Sequence, residues 1–134
     1  MARKLQRAAN AKKERKAPTL EPDLWEPPPL SECEEREFVT EPDSTNRIVA
    51  RRVTWNGQLV SYAIIHVTLE RGDEWTEVAC VDCCHSYVHL HSGPDHAESR
   101  EDIQPIHTQQ DVQSSFSSSF DLIYDSYITF KGQQ

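Results

Sequence analysis

The chain has 134 residues, 37% of them hydrophobic and 27% charged, with a formal net charge of −8. That suits one ordinary domain and leaves little chain for a second. The charge is uneven: residues 1–16 hold seven basic side chains against Glu14, so +6 sits there and −14 on the remaining 118 residues. An acidic body repels nucleic-acid phosphate, so nucleic-acid contact is expected through the basic tail 1–16 or a local patch. No run of about eighteen apolar residues occurs, so no membrane-spanning helix is expected. The charged N-terminus lacks a following apolar stretch, so no secretory signal is expected either. Without one, and with Cys83 and Cys84 adjacent, reduced thiols in the cytoplasm are the expectation.

Residues 1–46 read as a disordered tail, basic at first and then rich in proline and glutamate. Pro18, Pro22 and Pro27-Pro28-Pro29 exclude a helix there. Leu24, Trp25 and Leu30 around the prolines suggest a short docking peptide for a protein partner. Residues 47–131 read as a small α+β domain: an antiparallel β-meander of about four strands with one C-terminal helix packed on a face.

The first strand, Arg47 to Trp55, runs directly into Asn56-Gly57. Asn-Gly between β-branched runs is the strongest local hairpin signal, because a type I′ turn needs positive φ at both central residues. The second strand then starts at Gln58. A regular ladder pairs Trp55 with Gln58, Thr54 with Leu59, Val53 with Val60, Arg51 with Tyr62 and Ile48 with Ile65. In that register Ile48, Ala50, Ala63, Ile65 and Val67 form the face under the helix. A turn at residues 71–74 leads to a third strand, Trp75 to Cys84, with Ile65 opposite Cys80 and Val67 opposite Val78. Cys80 is thereby expected in the aliphatic core. A fourth strand, Tyr87 to His91, points Val88 and Leu90 inward and puts Tyr87, His89 and His91 on the other side. Residues 95–110 show no element. Val112, Phe116, Phe120, Ile123, Tyr127 and Phe130 fall on one helical face, with Asp111 as N-cap, Gly132 as stop and the serines of 114–119 on the polar side. The alternation of Leu122, Tyr124, Ile128 and Phe130 offers a strand over 121–130 as the competing reading.

The stretch Cys80-Val-Asp-Cys-Cys-His-Ser-Tyr-Val-His-Leu-His91 gathers three of the four cysteines and three of the six histidines. Three chemistries fit it. Thiolate and imidazole are zinc's preferred ligands, so Cys83, His85, His89 and His91 are candidate zinc ligands, although only one Cys-x-x-Cys is present. Asp82, His85, His89 and His91, with Tyr87 nearby, are candidate catalytic residues: imidazoles acting as acid and base, oriented by a carboxylate, suit RNA cleavage through the 2′-hydroxyl. That reading lacks a cation within the stretch to hold phosphate, which Arg51, Arg52 or the basic tail would have to supply. The third reading is an interaction module whose histidines bond the backbone and one another.

The run Trp75…Asp82-Cys83-Cys84-His85…His89-x-His91 resembles the core of small bacterial and phage proteins that join a β-hairpin, a tryptophan-led strand, Asp-x-x-His, further histidines and a closing helix. A similar layout occurs in TumE-like toxin components of toxin–antitoxin systems. The resemblance covers about residues 55–130 and implies functional roles for Asp82, His85, His89 and His91. The expectation is a bacterial or phage accessory protein that binds a protein partner, with this cluster as its functional or metal-stabilised centre. A toxin-like ribonuclease and a small zinc-binding protein are the alternatives.

Overall fold

Asn56 and Gly57 adopt φ of 52° and 78°, and the hairpin they close forms as the sequence predicts. The computed structural model describes residues 25–70, 73–84, 86–93 and 99–133. Six strands follow one another in a single antiparallel sheet of sequential order: β1 (Glu34–Asp43), β2 (Asn46–Trp55), β3 (Gln58–Leu69), β4 (Trp75–Cys84), β5 (Tyr87–Ser92) and β6 (Ser99–Pro105). One helix, α1 (Gln109–Gly132), crosses one face. The α+β meander with a closing helix is as expected, and the count of about four strands is corrected to six.

Both added strands lie where hydropathy gives no signal. β1 is acidic and almost wholly exposed, and it is held by its ladder to β2 from Glu34↔Thr54 to Thr40↔Ile48. The disorder expected up to residue 46 is therefore corrected for 25–46; residues 1–24 lie outside the described residues. Ahead of β1, Trp25 anchors the chain to the domain. Its backbone N–H donates to Ile106 O (2.8 Å), its indole N–H to Val60 O (3.3 Å), and Ser86 Oγ donates to its carbonyl. β6 pairs with β5 along its length, where no element was expected.

One residue decides which face of β3 meets the helix. Thr54 pairs with Leu59 but Val53 pairs with Ser61, so Val60 is an extra residue on β3. Strand side chains alternate, so a one-residue bulge exchanges the two faces beyond it. Tyr62, Ile64 and His66 consequently lie under the helix, not Ala63, Ile65 and Val67. A second bulge at Val78 pairs Val67 with Glu77, whereas Ile65 does oppose Cys80. The core combines Ile48, Ala50, Ile64, Val81, Cys83 and Val88 from the sheet with Val112 and Ile123 from the helix. Cys80 is buried, but on the far face beside Ile65 and His91, not in this core.

α1 runs through 121–130, which excludes the strand alternative there. Its N-cap is Thr108 rather than Asp111. The Thr108 hydroxyl accepts from Asp111 N and the Asp111 carboxylate accepts from Thr108 N, a reciprocal capping box. Two serines expected on the polar side are buried: Ser115 and Ser119 each lie 2.8 Å from the Tyr62 hydroxyl. They satisfy a phenol that the Val60 bulge turns inward, and burial pushes that phenol above its ordinary value.

At the other end of α1, a polar chain ties helix to sheet. Tyr127 Oη (2.6 Å) and Lys131 Nζ (3.0 Å) donate to Asp43 Oδ2. Asn46 Nδ2 donates to the same carboxylate, and Asn46 Oδ1 lies 2.8 Å from His66 Nε2. Asn46 Oδ1 only accepts, so His66 carries its proton on Nε2, and buried Nδ1 has no hydrogen-bond partner among the described residues. Burial lowers the imidazole below its ordinary value, against the weaker pull of Asp43. A lowered folded-state value means the unfolded chain binds the proton first. The stability His66 contributes is thus complete above about pH 6.5 and lost as pH falls from there toward the lowered value. Urea midpoints should therefore drop between pH 7 and 5, and the drop should be shallower in His66→Phe. Equal slopes in the two proteins would refute this assignment.

Candidate functional site on the sheet face away from the helix

Alternation along β4 and β5 sorts the central stretch into two groups. Val81 and Cys83 point to the helix side with Val88. Cys80 and Asp82 therefore point to the far side, as do His89, which pairs with Asp82, and His91, which pairs with Cys80. β6 extends the same two rows. Its bulge at Ile103 sets Asp102 opposite His89 and Arg100 opposite His91. One row reads Ala63, Asp82, His89, Asp102 and the next Ile65, Cys80, His91, Arg100.

Two imidazole–carboxylate pairs result. His89 Nδ1 lies 2.8 Å from Asp102 Oδ1, and His91 Nε2 lies 3.4 Å from Asp82 Oδ2. The carboxylate can only accept, so Nδ1 of His89 bears the hydrogen. Arg100 Nη2 stands 3.2 Å from that nitrogen, but two donors cannot bond each other. The guanidinium's partner is Asp102, with Nε 3.4 Å from Oδ1. The hydrogen bond from His89, aided by the positive charge of Arg100, holds the Asp102 carboxyl below the usual carboxylate range. The His89 and His91 rings are 5.9 Å apart, and the Tyr87 ring lies 6.2 Å from His89.

Exposure separates the roles. The His89 side chain is 3% exposed, His91 14% and Arg100 58%. Arg100 and its partner Asp102, 55% exposed, are thus the accessible groups; His91 is largely covered, and buried His89 braces Asp102.

Of the expected catalytic set, the structure brings Asp82, His89 and His91 together; His85 lies outside the described residues, as does His96. Of the expected zinc set, His85 is among those outside the described residues. Cys83 is 3% exposed within the helix-side core, with the sheet between it and the two histidines, so Cys83, His89 and His91 do not close around one ion. Among the described residues no group of three or more histidine, cysteine or acidic side chains is arranged to hold a metal. Arg100 and Asp102 were missed from sequence, because Ser99-Arg-Glu-Asp-Ile-Gln-Pro105 has no apolar alternation to mark a strand.

Comparison of the chain with protein-family models, with curated proteins and with solved structures finds no match. No helix of the described residues is long and apolar enough to cross a membrane.

Proposed function

We propose that the protein is a small ribonuclease-like enzyme, of the toxin-like kind, working at His91, Asp82 and Arg100. The observation that carries this reading is Arg100 directly across the ladder from His91, held by Asp102, which His89 positions in turn. It supplies the cation that the histidine stretch lacks in sequence. His91, oriented by Asp82, takes the proton of an RNA 2′-hydroxyl. The 2′-oxygen then attacks phosphorus, and the 5′-oxygen leaves and takes a proton from solvent. Arg100 neutralises charge that builds on the phosphoryl oxygens, with two parallel N–H donors suited to a phosphate. The products are a 2′,3′-cyclic phosphate and a 5′-hydroxyl. The basic residues 1–16 offer the attraction for RNA that the acidic body does not.

The test is a single-stranded RNA and a DNA of the same sequence, each incubated with tag-free protein in a metal chelator. RNA should be cut and DNA, lacking the 2′-hydroxyl, should not. RNA left intact, or DNA cut equally, rejects the reading.

A second reading, an accessory protein acting through a protein partner, is favoured by the outer edge of β1. β1 is the outermost strand among the described residues, with Phe38 and Val39 50% and 56% exposed on its two faces, and an unpaired strand edge accepts an added strand. Intact RNA together with a stable complex lost on Val39→Lys would favour it.

A further inference from the structure

The charged side chains of β1 and β2 are unevenly arranged across their ladder. On the face away from the helix the charges are matched: Arg51 Nε lies 3.2 Å from Glu35 and 3.7 Å from Glu37, and Arg47 Nε lies 2.6 Å from Glu41. On the helix side the ladder instead sets Arg36 directly opposite Arg52. Like charges in direct cross-strand register repel. Glu34 lines the same cleft, but neither arginine forms an ion pair among the described residues. In a body this acidic, two unmatched guanidinium groups side by side are the exception.

The surroundings of Arg52 fix it in place. Its Cζ lies 5.2 Å from the centre of the Phe116 ring and 5.9 Å from that of Phe38, a guanidinium held between two phenyl groups. Its Nε is buried and has no hydrogen-bond partner among the described residues. Arg36, Arg52, Phe38, Thr54 and Gly57 line a cleft of about 350 Å³, within the size range of small-ligand sites. The cleft offers two forked donors for an anion, one preorganised by stacking, a threonine and a half-exposed aromatic ring.

We propose that this cleft binds a phosphate group, carried by a nucleotide or by a nucleic-acid strand, with the phosphate on Arg36 and Arg52 and the adjoining base against Phe38. Arginine is suited to this because its planar fork matches phosphate oxygens in pairs. A phosphate also relieves the repulsion between the two guanidinium groups. The site is independent of the His91 centre, which lies on the opposite face of the sheet and on other strands.

Calorimetric titration of the full chain with inorganic phosphate, a mononucleotide and a six-nucleotide single-stranded RNA tests the proposal. At least one probe should bind, and the order of affinities identifies the source: the mononucleotide tightest for a nucleotide site, the RNA tightest for a strand. Arg36 is exposed, so Arg36→Gln should fold normally and weaken binding about tenfold or more. Glu34→Gln should tighten binding by removing a repelling carboxylate. Failure of all three probes to bind at millimolar concentration overturns the proposal, as does Arg36→Gln binding them as wild type does. Loss of RNA cleavage by His91 variants leaves this result unchanged.

Discussion

Ile64→Ala should cost about 2–5 kcal/mol of unfolding free energy, the range for deleting a buried aliphatic side chain without collapse of its site. Against a total of about 5–15 kcal/mol for a domain, that removes a large share of the stability. Ile64 is fully buried in the middle of β3, between Ala50 and Val81, under the helix. Ile65→Ala removes the same atoms one position along, from the partly exposed far face, and should cost clearly less. The comparison, made by urea unfolding, reports directly on the Val60 bulge. In a regular hairpin Ile65 would be the core residue and the order would reverse.

The second large effect is on activity. His91→Gln keeps a polar side chain of similar size but no proton acceptor of imidazole basicity, and should lower RNA cleavage by about 10²–10⁴-fold. Arg100→Lys keeps the charge and loses the fork, so it should retain more activity than Arg100→Ala. All three variants should unfold at the wild-type urea concentration, since His91 and Arg100 are outside the core. Unchanged cleavage in His91→Gln would remove this residue from the chemistry.

What was legible in the sequence follows from how each signal is made. The Asn56-Gly57 turn, strands β4 and β5, and the helix all rest on local rules, and these elements form where those rules put them. Hydropathy alone defines the helix stripe in sequence, and it puts Ser115 and Ser119 on the polar side. Their burial depends on the Tyr62 hydroxyl, which is distant in sequence. The extra residue at Val60 has the widest consequence: it exchanges the faces of β3 relative to a regular hairpin, and so leaves Ile65 and Cys80 on the face away from the helix. No local cue marks that bulge, which coincides with the Trp25 indole donating to the Val60 carbonyl from 35 residues away.

The site was half legible for the same reason. Asp82, His89 and His91 could be placed on one face by strand alternation. Cys83 could have been set apart from them by the same rule, because it alternates with Asp82 and pairs with inward-facing Val88. Arg100 and Asp102 belong to an edge strand whose polar residues meet solvent on one side and the histidines on the other. Charge complementarity to a histidine row was the available cue, and it becomes visible only once the β5–β6 pairing is known.

The most direct test of the acid–base centre is the chemistry of the RNA ends made by tag-free protein in the presence of a metal chelator. A 2′-hydroxyl attack assisted by His91 and Arg100 predicts 2′,3′-cyclic phosphate and 5′-hydroxyl ends, absent with His91→Gln. RNA left intact at stoichiometric protein, or ends carrying 3′-hydroxyl and 5′-phosphate, would contradict it.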